Sequence, residues 1–216
     1  MYVLIINGSP RVKKYSNTDK ILDSFTSGMK ETGAGFTQYE VSDRKQWDEI
    51  RKEFSENKNI LIALPLFVEC IPGLLMEFLE SLEPKNDGTK LAFILQSGFA
   101  EGVQLRCGEE YLKMLSERLG CEYCGTLIKG NNFSIRLFDG EQRDNMTAPY
   151  IEMGREYAQN GDMFSDKCRR FTGPEVFPFY VRILLGALMA TFGRIGFNRF
   201  AKDWGCTKRL DCRTYT

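Results

Sequence analysis

The N-terminal segment, residues 2–18, constrains the fold of this chain more than any other stretch. It begins with the apolar run YVLII at residues 2–6, which is typical of a buried strand. The run ends at the turn-forming string NGSPR, residues 7–11, and a helix is predicted to start near Ser16, Asn17 and Thr18. A strand, a polar loop and a helix N-terminus in this order form an anion-binding unit in many α/β proteins. The segment therefore predicts an α/β fold with a phosphate site at the first loop.

The rest of the chain repeats this alternation of apolar strands with helical patterns. The further predicted strands are residues 36–41, 60–64, 91–95 and 125–128, and the predicted helices are residues 18–32, 46–56, 72–82, 103–119 and 150–159. Interleaved in this way, they predict a mostly parallel sheet that is covered by helices on both faces. Because such sheets bind ligands beyond the carboxyl ends of their strands, the loops 8–18, 65–72 and 96–102 are the candidate site.

The composition restricts the chemistry that the side chains can supply. The 216 residues contain no histidine, which excludes Ser-His-Asp catalysis, Cys-His catalysis and His-ligated metal sites within the chain. An enzyme of this composition takes its reactivity from a cofactor. The seven cysteines are odd in number, and no secretory signal precedes the first strand. Both features favour reduced thiols and a cytoplasmic location.

The charges balance overall but are unevenly distributed. The 29 basic and 29 acidic residues give a formal net charge of zero, which gives no support to nucleic-acid binding. Residues 1–164 carry 19 basic and 25 acidic side chains, a net charge of −6, whereas residues 165–216 carry 10 basic and 4 acidic ones, a net charge of +6. We therefore predict one domain at residues 1–163 and a basic, apolar helical extension at residues 164–216.

The first loop offers the side chains that a phosphate requires. Hydroxyl and amide groups come from Ser9, Ser16, Asn17 and Thr18, and Arg11 adds positive charge. The alternative is a plain helix N-cap, but one cap does not require four such residues at both ends of a long loop. The loop matches neither the P-loop pattern GxxxxGK[ST] nor the Rossmann pattern GxGxxG. This favours a single terminal phosphate over a nucleoside triphosphate or a dinucleotide.

The loop after the third strand is apolar where it leaves the sheet. Its first four residues are Pro65, Leu66, Phe67 and Val68. A planar aromatic ligand would cover them, and the alternative is ordinary packing under the next helix. Cys70 in this loop has no histidine or other base beside it, so we interpret it as an unreactive thiol.

The loop after the fourth strand combines polar groups with a glycine. Gly98 allows close approach of the backbone to a ligand. Gln96 and Ser97 could bond the polar edge of a heterocycle. The alternative is a simple strand-to-helix loop with an N-cap at Ser97 or Glu101.

Together the three loops resemble one known family. The strings NGSPR with SNT, PLFVECIPG and QSGFAEG follow the first, third and fourth strands in the order seen in the NAD(P)H-dependent FMN reductases, which are flavodoxin-like proteins. The resemblance spans about residues 1–130. It implies a flavodoxin-like three-layer sandwich, in which a five-stranded parallel sheet of order 2-1-3-4-5 binds FMN at the switch point. It also implies that NAD(P)H is the co-substrate.

The resemblance assigns a role to each candidate residue. It implies that the FMN phosphate binds at Ser9, Ser16, Asn17 and Thr18, with Arg11 nearby. It implies that the isoalloxazine ring lies against Pro65, Leu66, Phe67 and Val68 on one side and Gln96, Ser97, Gly98 and Phe99 on the other. Glu101 is implied to close the pocket. No side chain is assigned a catalytic role, because the flavin carries the chemistry.

The iron–sulfur relatives of this family carry a compact cysteine cluster, which this chain lacks. Cys121 and Cys124 form a CxxC pair with no third and fourth partner at cluster spacing. We predict structural thiols and no metal site, with a redox pair as the alternative.

The C-terminal extension lies outside the resemblance. Residues 176–192 are apolar nearly all round, but they number 17 and include Arg182, whereas a spanning helix needs about 20 residues without a central charge. We predict that this segment packs on the domain or on a partner subunit of a homo-oligomer. The alternative is a peripheral membrane anchor, because Arg194, Arg199 and Lys202 interleave with aromatic and aliphatic residues.

The sequence thus predicts an FMN-dependent oxidoreductase. It would pass hydride from NAD(P)H through FMN to a small-molecule acceptor such as a quinone, a flavin, a nitro or azo compound or a metal ion. Two alternatives stay open. One is a flavodoxin-type electron carrier, which the near-neutral charge and basic tail disfavour, and the other is a flavin-free module that acts through its extension.

Overall fold

A computed structural model describes residues 1–208 and Cys212. Its sheet contains five parallel strands in the order β2-β1-β3-β4-β5, as predicted. The strands are β1 (Tyr2–Asn7), β2 (Gly35–Glu40), β3 (Asn59–Pro65), β4 (Lys90–Gln96) and β5 (Glu122–Lys129). β3 lies at the centre because its residues are apolar on both faces, and the more polar β2 lies at an edge.

The helices follow the strands in alternation. They are α1 (Asn17–Glu31), α2 (Trp47–Glu56), α3 (Gly73–Leu79), α4 (Arg106–Arg118), α5 (Glu141–Thr147), α6 (Pro149–Asn160), α7 (Asp166–Phe171), α8 (Phe179–Leu188) and α9 (Arg194–Asp203). Short 3₁₀ turns are formed by Lys13–Tyr15, Arg44–Gln46, Gly102–Leu105 and Phe133–Leu137. A π-helical turn, Met189–Gly193, joins α8 to α9.

Alternation along the strands divides the core into two apolar layers. In β1, Val3 and Ile5 face the layer that α1 and α6 complete, whereas Leu4 and Ile6 face the layer beneath α2, α3 and α4. All four side chains are fully buried. The result is a three-layer sandwich whose strand ends, rather than its faces, are available for a ligand.

Two glycines allow α1 and α6 to cross at very short range. A Cβ atom at Gly28 would lie 1.9 Å from the carbonyl oxygen of Ile151, and one at Gly154 would lie 1.9 Å from that of Phe25. Both distances are impossible for a real side chain, so only glycine permits this crossing. The crossing holds α1 close against α6 in one layer of the sandwich.

The chain forms two compact units, Met1–Glu175 and Val176–Thr216. The first includes α7, which the sequence assigns to the extension. The second contains one continuous helix, Phe179–Asp203, which by length and composition is the candidate membrane span of the described residues, and none of its most apolar window is buried. The predicted extension also includes residues 209–211 and 213–216, which lie outside the described residues.

Candidate functional site

A cleft of about 340 Å³ opens at the carboxyl edge of β1, β3 and β4, within the size range of small-molecule sites (roughly 300–1,000 Å³). Twelve of the fourteen predicted residues line it, and Ser16 and Glu101 do not. The lining residues are Ser9, Arg11, Asn17, Thr18, Pro65, Leu66, Phe67, Val68, Gln96, Ser97, Gly98, Phe99, Phe133 and Arg136. Residues that are up to 127 positions apart in the sequence therefore share one surface.

The turn after β1 is shaped by its own polar side chains. The backbone N–H of Ser9 donates to Asn7 Oδ1 at 3.0 Å, and that of Arg11 donates to Ser9 Oγ at 3.3 Å. Gly8 donates from its N–H to the carbonyl oxygen of Ala63, and a Cβ atom there would lie 2.6 Å from Leu75. The loop is thus pressed against the sheet, with Ser9 and Arg11 directed to the cleft.

The N-terminus of α1 forms the next part of the wall. Ser16 Oγ accepts a hydrogen bond from the N–H of Asp19 at 3.1 Å, so this hydroxyl serves as an N-cap. Thr18 Oγ1 accepts from Gln96 Nε2 at 3.3 Å. This bond ties the start of α1 to the end of β4, and it joins the first and third loops into one site.

Asn17 has a buried acceptor that no described residue satisfies. Its Nδ2 donates to the carbonyl oxygen of Asn132 at 2.7 Å, and Asn132 itself is held by a bond from its Nδ2 to the Tyr150 hydroxyl. Oδ1 of Asn17 is buried and has no hydrogen-bond partner within the described chain. Because buried acceptors are normally paired, a ligand that brings a donor into the cleft would complete this site.

Two arginines lie near each other in the wall of the cleft. Arg11 and Arg136 both line it, and neither forms an ion pair with a described residue. Burial, and secondarily the positive charge of Arg136, lower the pKa of Arg11. Arg136 lies over the ring of Phe133, with 4.8 Å between the guanidinium carbon and the ring centroid. Two unpaired like charges beside a helix N-terminus favour an anion at this point.

The cleft also presents apolar side chains to solvent. Phe67, Phe99 and Phe133 are each close to half exposed, and Val68 is 74% exposed. Exposed apolar side chains gathered around one cleft mark a binding site for an apolar partner. The three aromatic rings and the branched side chain of Val68 offer contact surface for a flat, hydrophobic ligand.

The loop after β3 keeps its exposed position at a cost in backbone strain. Val68 and Glu69 have φ values of 48° and 67°, the left-handed region that costs a non-glycine residue roughly 1–2 kcal/mol. The turn is closed by paired hydrogen bonds between Phe67 and Cys70, at 2.8 and 3.1 Å between N and O. Such strain is typical of ligand-binding loops, and here it presents Val68 to the cleft.

The loop after β4 is locked to the segment that follows β5. Asn131 and Asn132 donate from their N–H groups to the carbonyl oxygens of Phe99 and Ser97, at 2.7 and 2.9 Å. Ser97 Oγ accepts from the N–H of Phe99 at 3.1 Å. A Cβ atom at Gly130 would lie 2.2 Å from the Phe99 carbonyl oxygen, so the approach requires glycine. The polar edge of the cleft is therefore rigid.

The far end of this loop is fastened outside the cleft. Gly102 and Val103 donate from their N–H groups to the carbonyl oxygens of Pro174 and Glu175, and Glu175 also forms an ion pair with Arg106. Glu101 directly precedes this anchored turn and does not line the cleft. Its predicted role in closing the pocket stays a prediction.

Phe133 and Arg136 belong to the cleft and are not among the predicted site residues. They lie on the 3₁₀ turn Phe133–Leu137, which follows β5. The sequence contains a signal for them, since β5 neighbours β4 in a 2-1-3-4-5 sheet and its carboxyl end meets the same edge. The rule that selected the loops after β1, β3 and β4 applies equally to the loop after β5.

The CxxC pair lies away from this cleft and is buried. Cys121 and Cys124 are free thiols with little exposure, and burial raises the pKa of Cys124 to about 11. A thiol of this kind is protonated at neutral pH and is a poor nucleophile. Within the described residues, no group of three or more Cys, Asp or Glu could hold a metal ion.

Comparison with known proteins places the fold. No protein-family model and no curated protein matches the sequence. Among solved structures, the chain is similar to an FMN-dependent NADH-azoreductase from Bacillus anthracis in complex with FMN (TM-score 0.55, 18% identity, 74% of this chain and 99% of that one). It is also similar to the apo form of an NADH:FMN oxidoreductase (TM-score 0.55, 14% identity, 80% and 96% of the two chains). A third similar structure is an NADPH-quinone reductase from P. pentosaceus (TM-score 0.53, 11% identity, 74% and 99%). These similarities and the strand order confirm that the chain has the flavodoxin-like fold.

Proposed function

We propose that this chain is an FMN-dependent oxidoreductase that takes reducing equivalents from NAD(P)H and delivers them to a small-molecule acceptor. The observation that carries the proposal is that one cleft is lined by both basic and exposed apolar side chains. Arg11 and Arg136 suit a terminal phosphate, and Phe67, Val68 and Phe99 suit a flat aromatic ring. FMN has both groups, and the structurally similar proteins include one with FMN bound.

The basic and polar residues of the cleft fit the phosphate and the polar chain of FMN. Arg11 and Arg136 would neutralise the phosphate, and Ser9 and Thr18 would donate hydroxyl groups to it. The buried Oδ1 of Asn17 would accept from a ribityl hydroxyl, which gives this orphaned acceptor a partner. Ser16, which the sequence assigns to the phosphate, contributes by capping α1 and so by orienting its N–H groups.

The apolar residues of the cleft would hold and shield the ring of FMN. Phe67, Val68 and Phe99 offer contact surface, and Gln96 and Ser97 lie on the same wall at the end of β4. When bound, FMN supplies the chemistry by accepting a hydride from NAD(P)H and passing the electrons on. The side chains bind and orient, and none acts as an acid or base, which agrees with the absence of histidine.

The proposal is tested by adding FMN to the purified protein and following its visible absorption spectrum. We expect tight, stoichiometric binding, and bleaching of the bound flavin when NADH or NADPH is added without oxygen. Turnover with menadione or an azo dye then identifies an enzyme. Bound FMN that is never reduced by either nucleotide would instead support an electron carrier, and failure to bind FMN would support a flavin-free module.

The assignment of Arg11 and Arg136 to the FMN phosphate is tested by two variants and a matched control. Arg136→Gln and Arg11→Gln should each weaken FMN binding by about 10-fold or more, because each removes a charge-assisted contact to the phosphate. Riboflavin, which has no phosphate, should bind both variants and the unchanged protein alike. Arg169→Gln, on the exposed face of α7, is the control and should leave FMN affinity unchanged. Equal loss of FMN and riboflavin binding would contradict the phosphate assignment.

The acceptor, the assembly and the location are finer parts of the proposal. A quinone, a flavin, a nitro or azo compound and a metal ion are the acceptors that the cofactor chemistry allows, and a panel of these under steady-state conditions would rank them. The homo-oligomer and the cytoplasmic location stay predictions, to be tested by light scattering and by cell fractionation.

A further inference from the structure

The continuous helix formed by α8, the π turn and α9 presents an apolar surface to solvent. Twelve of its large apolar side chains, counted through Trp204, are exposed, which is far more than a soluble helix normally shows. They are Phe179, Tyr180, Ile183, Leu184, Leu185, Leu188, Met189, Phe192, Ile195, Phe197, Phe200 and Trp204. A surface of this kind requires a partner.

The π turn aligns the apolar side chains of the two helices. In an α-helix, residues on one side recur every three or four positions. One such row runs with steps of 4, 3, 4, 5, 3 and 4 along Val181, Leu185, Leu188, Phe192, Phe197, Phe200 and Trp204. The five-residue step falls at the π turn, where the N–H of Arg194 bonds to the carbonyl oxygen of Met189, five positions back. The rings of Phe200 and Trp204 lie 4.6 Å apart on this row. We call these seven residues the apolar row.

The helix is also basic, and its charges lie off the apolar row. Arg194, Asn198 and Lys202 recur every four positions and follow a different line along α9. Over Phe179–Asp203 the basic residues are Arg182, Arg194, Arg199 and Lys202, and Asp203 is the acidic residue. In α9 the basic side chains lie beside the apolar row, and aromatic residues lie at both ends of the continuous helix. Both features are typical of a helix that lies in the plane of a membrane surface.

The spacing of the charges argues against a spanning helix. Arg182 and Arg194 are twelve positions apart, with eleven uncharged residues between them, which corresponds to a helical rise of about 18 Å. The hydrocarbon core of a bilayer is about 30 Å thick. A spanning position would therefore bury at least one arginine in hydrocarbon, whereas an in-plane position leaves every charge at the headgroups.

We propose that Phe179–Asp203 and the adjoining Trp204 dock this protein in plane on an anionic lipid bilayer. The apolar row enters the boundary between headgroups and acyl chains, and the basic side chains contact the lipid phosphates. A second copy of the chain is the less favourable occupant, because it would bring the same excess of positive charge to the interface. The proposal is independent of the flavin site.

The first test uses the full-length protein and Trp204 as its own reporter. Trp204 is 70% exposed, whereas Trp47, the other tryptophan, is buried. With vesicles of phosphatidylcholine containing phosphatidylglycerol, we expect co-flotation and a shift of tryptophan emission to shorter wavelength. Binding to vesicles of phosphatidylcholine alone should be at least about 10-fold weaker, since basic side chains are attracted to an anionic surface. Trp204→Phe should still float but lose the emission shift.

The second test examines the π turn. Deletion of Thr191 removes the extra residue, so α9 turns by about 100° relative to α8 and the apolar row divides in two. We expect at least about 10-fold weaker vesicle binding with the same helix content by circular dichroism. Thr191→Ala keeps the length of the helix and is the matched control. It should bind as the unchanged protein does.

Three results would overturn the proposal. One is failure of the protein to bind anionic vesicles. If Trp204 is then found shielded in a dimer, the helix is assigned to a second copy of the chain. Another is binding that withstands high salt and alkaline carbonate, which would indicate a spanning helix. The third is unchanged vesicle binding after deletion of Thr191, which would remove the role of the aligned row.

Discussion

Strand β3 and helix α8 are both strongly apolar, yet the structure treats them in opposite ways. The apolar side chains of β3, from Ile60 to Leu64, are fully buried, whereas α8 has no buried residue. β3 is covered because neighbouring strands and two helical layers of the same chain enclose it. An apolar run in a sequence therefore indicates that the segment needs an apolar surface to pack against. Only the tertiary structure shows whether the same chain provides that surface.

The largest effect is expected from adding one methyl group in the enclosed first unit, compared with one in α8. Gly154→Ala should lower the unfolding free energy by about 3 kcal/mol, because its Cβ would lie 1.9 Å from the Phe25 carbonyl oxygen and force α1 from α6. Gly186→Ala in α8 meets no atom within 4 Å and should cause no loss. Urea unfolding followed by circular dichroism measures both. A stable Gly154→Ala variant would contradict the close crossing.

Thiol reactivity compares buried with exposed side chains. Cys70, Cys107, Cys206 and Cys212 are exposed, and the remaining three cysteines are buried. We expect four thiols to react with Ellman's reagent at least about 100-fold faster than the other three, a difference of about 2.7 kcal/mol in the free energy of access.

The buried thiols respond to unfolding rather than to modest changes of pH. Because burial holds the pKa of Cys124 at about 11, raising the pH from neutral to mildly alkaline should leave its reaction slow. In denaturant all seven should react alike. Fast native labelling of Cys121 or Cys124 would contradict the interpretation of the CxxC pair as structural.

A buried carboxyl group, that of Asp19, makes the free energy of unfolding depend on pH. Burial raises the pKa of Asp19 above its ordinary value of 3.8, an effect that Ser16 and Asn7 offset in part. The folded state therefore holds the proton more tightly than the unfolded state, and stability falls as the pH rises from about 3.8 through the raised value. Asp19→Asn removes this loss.

We expect Asp19→Asn to raise the unfolding free energy at neutral pH by on the order of 1 kcal/mol, and this gain should vanish at pH values below 3.8. Urea unfolding of the flavin-free protein at neutral and acid pH measures it. Asp203→Asn is the matched control in the exposed helix, and it should show no gain at either pH because its side chain is exposed. An equal gain at both pH values would contradict the titration of Asp19.

The smallest effect is expected when the second unit is removed. A chain that ends at Glu175 should unfold with a free energy within about 0.5 kcal/mol of the full chain, because Met1–Glu175 is a compact unit by itself. FMN binding should persist, and vesicle binding should be lost. A large loss of stability would show that the first unit needs the second.

The sequence predicted the central part of the fold well and its last third less well. β1, β3 and β4 were recognisable because a strand buried on both faces is a short, continuous apolar run between turns. Twelve of the fourteen predicted site residues share the cleft for a related reason, since parallel strands bring the loops after β1, β3 and β4 to one edge. α7 was not predicted as a separate helix because it has only six residues. Phe133 and Arg136 were missed because the loop after β5 was left out of the candidate site.

Ser16 illustrates a different limit of sequence reasoning. A serine before a helix can cap it or bind an anion, and both uses require the same residue type at the same place. The structure shows its Oγ accepting from the N–H of Asp19. Only the direction of this side chain separates the two uses.

The sequence by itself determined the strand-loop-helix order, the absence of histidine chemistry and the positions of the polar and apolar loop residues, because these depend on residue type and local spacing. The tertiary structure decided which residues meet across long distances. It brought Arg136 close to Arg11, left Oδ1 of Asn17 without a hydrogen-bond partner among the described residues and exposed the helix Phe179–Asp203. The physical reason is that burial and pairing belong to surfaces assembled from distant segments, and a linear pattern does not contain the geometry of that assembly.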